Sequence, residues 1–182
     1  MTDLPEEPAR DVRFRLLGHP LHATLVHLPL GALISVLVWD ILALVGAGAF
    51  FWTVAFWSLA LGLAATVPAI ITGLADYGVI PDDSAAARTA KWHLYTVMGA
   101  GVFYGASLLA RAGPTPPEGR AVGAAVALGV LGLGFLTLAG YLGAELILRH
   151  RVGERRPSRE EVTGGPEVGR HTVPDRPSSD TA

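Results

Sequence analysis

The stretch GHPLHATLVHLPLG, Gly18–Gly31, opens the first long apolar run of the chain and carries three of its six histidines, His19, His22 and His27. Proline at position 20 suits the first position of a helix, where its missing N–H needs no partner. Pro29 falls inside the run and removes one backbone hydrogen bond, which predicts a kink just beyond His27. At 100° per residue the three histidines span an arc of about 140°, so one side of the first helix can present them all.

Outward from this stretch, the chain of 182 residues is 51% hydrophobic and only 16% charged, against about 25% in an ordinary soluble domain. The charges crowd into the ends and two loops. They leave apolar runs at Pro20–Val45, Phe50–Ala75, Trp92–Ala110 and Ala121–Leu148. Each reaches or approaches the ~20 residues that cross a hydrocarbon core. The expected fold is all-α: an integral membrane four-helix bundle (residues 18–152) after a polar lead-in (1–17) and before a disordered Pro/Gly/Ser-rich tail (153–182). The run is too long for the apolar core of a signal peptide, and it contains Asp40, although Ala47-Gly48-Ala49 resembles a cleavage site.

Several features mark the helices. Phe50, Phe51 and Trp52 read as an aromatic interface belt. Asp82, Asp83 and Ser84 are turn or N-cap material, so the third helix is expected to begin early, over Ser84–Lys91. Gly101 and Gly105 form a GxxxG pair, and the glycines of the fourth helix suit close helix contact. No internal repeat stands out.

With four spans, both termini and the loop Asp76–Lys91 lie on one side. All of the 14 Lys and Arg residues except Arg111 and Arg120 fall there, which places both termini in the cytoplasm and the protein in the inner membrane. The same end gathers His19, His22 and His27, Asp76 at the close of the second helix, His93 at the start of the third, and Glu145 and His150 at the close of the fourth. Ionisable groups inside a span are costly and usually functional. Three readings follow: a structural polar network, a bound haem or metal ion, or a proton or ion pathway.

For haem b, His27 and His93 are the candidate ligands. For a divalent metal, the candidates are His22, His27, Asp76, His93, Glu145 and His150, since imidazole with carboxylate suits iron, zinc or manganese. His19 and Tyr141 are supporting residues, and Tyr141 shares a face with Glu145. His27 and Glu145 are expected to face one another. The chain has no cysteine, which excludes disulfides, iron–sulfur ligation and thiolate zinc sites. It has no nucleophile–base pair, phosphate loop or HExxH pattern, so the isolated chain does not read as an enzyme. The net charge of −2 gives no support to nucleic-acid binding. The expected partners are the lipid bilayer and either a second copy or a redox protein; the competing class is a scaffold subunit.

GHPLHATLVHLPLG resembles the N-terminal signature of the bacterial membrane family catalogued as domain of unknown function 2231, which typically reads GHPLHP and then LVHFP. GAELILRHRVG (Gly143–Gly153) resembles that family's closing segment, with Asp76 and His93 where polar residues are expected. Ala23 stands where proline is usual and Arg151 where glycine is usual. The resemblance implies a four-helix membrane fold over about Leu17–Gly153. It implies no established activity, and the apparent fusion of some relatives to Rieske-type iron–sulfur domains hints at electron transfer.

Overall fold

A computed structural model describes residues 12–113, 115–116 and 120–153, the side chain of Arg120 excepted. The expected disordered tail beyond Gly153, and most of the polar lead-in, lie outside the described residues. Two short strands, β1 (Arg15–Leu16) and β2 (His19–Pro20), pair antiparallel. Leu17 and Gly18 turn the hairpin, both with positive φ (51° and 84°), the backbone a tight two-residue hairpin turn requires. The helices follow: α1 (Leu21–Leu25), α2 (His27–Leu44), α3 (Ala49–Tyr77), α4 (Ala85–Arg111) and α5 (Arg120–Leu148).

The break between α1 and α2 falls at Val26, before His27 rather than beyond it. Pro29 cannot donate to the carbonyl four residues back, and its ring crowds that carbonyl, which belongs to Leu25. The disruption therefore appears upstream of the proline. At the start of α4, Ser84 caps the helix as expected, its hydroxyl accepting from the Ala87 N–H at 3.1 Å.

α2 packs chiefly on α3 and α4 on α5, making two antiparallel hairpins. The hairpins join where α3 meets α4 and α2 meets α5. Three segments are long and apolar enough to cross a membrane: Leu21–Leu44, Ala49–Tyr77 and Ala121–Leu148. α4 has the length, 27 residues, but is not among them. His93, Tyr95, Thr96, Tyr104 and Ser107 dilute its apolar run, and it carries Arg88 and Lys91 at its start.

Close packing uses different glycines from those the GxxxG pattern suggests. A Cβ at Gly101 or Gly105 would meet nothing within 4 Å. At Gly62 it would lie 2.6 Å from Leu33, at Gly99 2.5 Å from Phe135, and at Gly132 2.9 Å from Tyr104. These three let large side chains press onto a helix backbone.

At the end of the bundle away from the β-hairpin, the core is ionic. The Arg111 guanidinium donates to both oxygens of Asp40, at 2.8 and 2.6 Å, and both side chains are fully enclosed. Arg111 also lies over the Trp52 ring, 4.5 Å from its centre. Trp52, expected at the interface, is thus turned inward and only 2% exposed, because its face receives the cation. Phe50 keeps the interface character, at 70% exposed. Ser107 donates to the Ala125 carbonyl at 2.7 Å one turn before Arg111. Trp52 Nε1 and Arg111 Nε find no acceptor among the described residues.

Removing one partner of this pair leaves the other as an uncompensated buried charge. Arg111→Ala is expected to cost about 3–5 kcal/mol, read as a lowered unfolding temperature in detergent. Gly132→Ala should cost about 1–3 kcal/mol by overpacking, while Gly105→Ala should be close to neutral in the same assay.

Candidate functional site

At the opposite end, by the β-hairpin, two histidines are held by the same device. His22 lies in α1, and its Nδ1 is 2.8 Å from the carbonyl of Ala69 in α3. His93 lies in α4, and its Nδ1 is 2.9 Å from the carbonyl of Ala139 in α5. A carbonyl oxygen only accepts, so in each ring Nδ1 carries the hydrogen and donates. In the neutral ring the lone pair is then on Nε2 in both. One turn beyond each acceptor stands a glycine that the imidazole covers. A Cβ at Gly73 would lie 2.8 Å from Cε1 of His22, and one at Gly143 would lie 3.3 Å from Cε1 of His93.

The two rings meet edge to face, with centres 6.5 Å apart and planes at 88°. This pair joins the two hairpins at one end, as Asp40 and Arg111 join them at the other. A backbone carbonyl behind an imidazole is a common outer-shell partner of metal-ligating histidine, because it fixes the tautomer and holds the ring. The geometry thus offers two imidazole lone pairs from different helices.

The other expected site residues go elsewhere. His27 is exposed and its Nδ1 takes the Thr24 carbonyl of its own turn, at 3.2 Å. It follows the axis-facing His22 by five residues, about 140° further round a helix, so it leaves the face that His22 shares with Leu33 and Asp40. Glu145 pairs with Arg149 one turn on, at 2.8 Å, with its side chain 21% exposed. No hydrogen bond joins His27 to Glu145 among the described contacts. Tyr141 is 68% exposed.

Asp76 is nearly buried and accepts the backbone N–H of Arg13 at 2.8 Å, which fastens the lead-in to the end of α3. His150 is buried, with Nε2 3.1 Å from the Thr89 hydroxyl, and so ties the end of α5 to the first turns of α4. His19 is exposed on β2. Arg15 donates to the carbonyls of Gly18 and Gly153, at 3.1 and 3.0 Å, so both described chain ends meet here. Among the described residues no three His, Asp or Glu side chains come together in a way that could hold a metal ion.

His93 has His22 across from it, 6.5 Å between ring centres, and not His27, which the sequence offered beside it. A spacing signal for His22 was present: positions 22, 26, 29, 33, 36 and 40 follow a 4-3-4-3-4 pattern that ends on Asp40, and an acid inside an apolar run marks the inward face. The ion pair at the far end was missed because Arg111 reads as the first residue of a loop, RAGPTPPEGR.

No curated protein and no solved structure matches the chain. Residues 18–156 match the family model described as predicted membrane protein (DUF2231), and with most of its length so matched the chain belongs to that family.

Proposed function

We propose that this protein is a membrane electron-transfer module that holds haem b between His22 and His93. The observation that carries the reading is the facing pair of carbonyl-tethered imidazoles, 6.5 Å between ring centres. His22 and His93 would hold the group through Nε2, and haem would supply one-electron chemistry there. Two protein ligands without a third fit a group that brings further donors of its own. A divalent ion held by protein side chains alone would ordinarily need three or four. The protein's part is to present two Nε2 lone pairs, to fix their tautomers through Ala69 and Ala139, and to screen the pair from lipid.

In this reading α4 crosses the bilayer in the company of the three apolar segments, and the histidine end faces the cytoplasm of a bacterial inner membrane, where a redox protein docks. Two observations support the orientation. Among the described residues Arg13, Arg15, Arg88, Lys91, Arg149 and Arg151 crowd at the histidine end, and Arg111 at the other end is neutralised by Asp40.

A second reading has its own support: the Nδ1–carbonyl bonds are sufficient reason for both histidines in a purely structural scaffold. His22→Asn and His93→Asn separate the two, because asparagine can still donate to the carbonyl but has no second ring nitrogen. Haem binding predicts a Soret band in the purified wild-type protein, lost in each variant, which should unfold like the haem-free wild type. A colourless wild type without iron, prepared from haem-replete cells, would reject the haem reading and leave the scaffold.

Orientation is checked separately. Reporter fusions after Asp82 and after Val152 should report the cytoplasm and a fusion after Ala112 the outside. The reverse pattern would invert the assignment.

A further inference from the structure

Three contacts join residues of the first hairpin to residues of the second at one fixed offset. Tyr104 donates its hydroxyl to the Leu33 carbonyl at 3.2 Å, 71 positions apart. Arg111 grips Asp40, also 71 apart. His22 meets His93 at the same offset. The burial pattern repeats with it. Adding 71 to the buried residues of α2 (Pro29, Leu33, Val36, Asp40) gives the last four buried residues of α4, from Ala100 to Arg111. Adding 70 to Ala55, Leu59, Gly62 and Ala69 of α3 gives the four buried residues described in α5, from Ala125 to Ala139.

The devices repeat as well. Leu33 presses onto Gly62, and its equivalent Tyr104 onto Gly132, the equivalent glycine. His22 bonds Ala69 and covers Gly73, while His93 bonds Ala139 and covers Gly143. The joins agree: α3 meets α4 as α5 meets α2. Trp52, Thr72 and Asp76 of α3 break the pattern, since their equivalents Val122, Leu142 and Leu146 are only half-buried.

We infer that the chain is one helical hairpin used twice, the halves related by a two-fold axis parallel to the helices. Each half is the other's partner through the face Leu33–Asp40 or its equivalent. The reason is geometric: a residue can touch its own equivalent only where the symmetry axis passes. Three such contacts, at His22/His93, Leu33/Tyr104 and Asp40/Arg111, trace that axis from one end of the bundle to the other. On it, the histidine is the polar residue kept in both halves, whereas the far position carries opposite charges. Two hairpins of the first kind would set Asp40 against Asp40, and two of the second Arg111 against Arg111. The unlike pair therefore makes the halves join to each other and not to their own kind. This inference stands whether or not haem is bound.

Equivalent positions have equivalent surroundings, so their residues should be exchangeable across the axis. In the full-length protein, Leu33→Tyr alone crowds two tyrosines onto the axis, and Tyr104→Leu alone leaves a void and removes the hydroxyl bond between the hairpins. Together they return one of each, with Gly62 now accepting the ring. The double variant is expected to unfold in detergent at a higher temperature than either single variant. The same holds for Asp40→Arg with Arg111→Asp, where each single variant should also lose most of its monodisperse yield. Recovery in either exchange upholds the axis. Double variants no better than their best single in both exchanges would overturn it.

Discussion

The ion pair of Asp40 and Arg111 constrains the rest of the structure more than any other contact. In a chain so apolar, water is remote from the inside of the bundle, and neither charge is tolerable alone there. Both oxygens of Asp40 are taken by the two terminal nitrogens of Arg111, and the guanidinium carbon lies over Trp52, 4.5 Å from the ring centre. This joins α2 to the last residue of α4 and draws α3 in through the indole. An apolar contact would permit the hairpins to slide or rotate against one another, because lipid is as good a neighbour as another leucine. A bidentate pair permits one register. The tyrosine hydroxyl on the Leu33 carbonyl and the facing histidines then fall in that register.

Polar groups in the core are few, and apart from Trp52 Nε1 and Arg111 Nε most are hydrogen-bonded. Ser107 donates to a carbonyl of the neighbouring helix, and the two histidines do the same at the other end. Thr66, Thr72 and Thr96 return their hydroxyls to carbonyls of their own helices. Lipid offers no hydrogen-bond partner, so a polar side chain that faces it must be satisfied within its own helix. Exposed Thr137 follows that rule, donating to the Leu133 carbonyl of its own helix at 2.9 Å, and the hydroxyls that bond between helices mark the surfaces of contact.

The four long helices were legible because apolar length and flanking charge are properties of composition, and Ser84 was legible as a cap from its place after Asp82 and Asp83. What composition hides is rotation. His22 and His27 are five residues apart and equally attractive as ligands, yet one faces the second hairpin and the other its own helical turn. The choice rests on which face carries Leu33 and Asp40, and so on a partner 71 positions away. The repeat was hidden for a related reason. The two halves share small residues and shapes, such as Gly62 with Gly132 and Ala69 with Ala139, while Leu33 is matched by tyrosine and Asp40 by arginine. Similarity of role at those positions lies in what the side chain touches and not in its chemistry.

The tether on each facing histidine also has an entropic side. An unrestrained histidine samples several χ1 rotamers and two ring orientations, and a ligand that selects one must supply the free energy of that ordering. Here the bond to a main-chain carbonyl and the flat seat on a glycine have already selected it during folding. The ring cannot flip without breaking its bond to Ala69 or Ala139. Any group that comes to the two Nε2 atoms meets donors that are already ordered, so its affinity is not diminished by freezing them. In the haem reading proposed above, the pair would be preorganised and would favour a group that fits the two held rings over one that needs the protein to close around it.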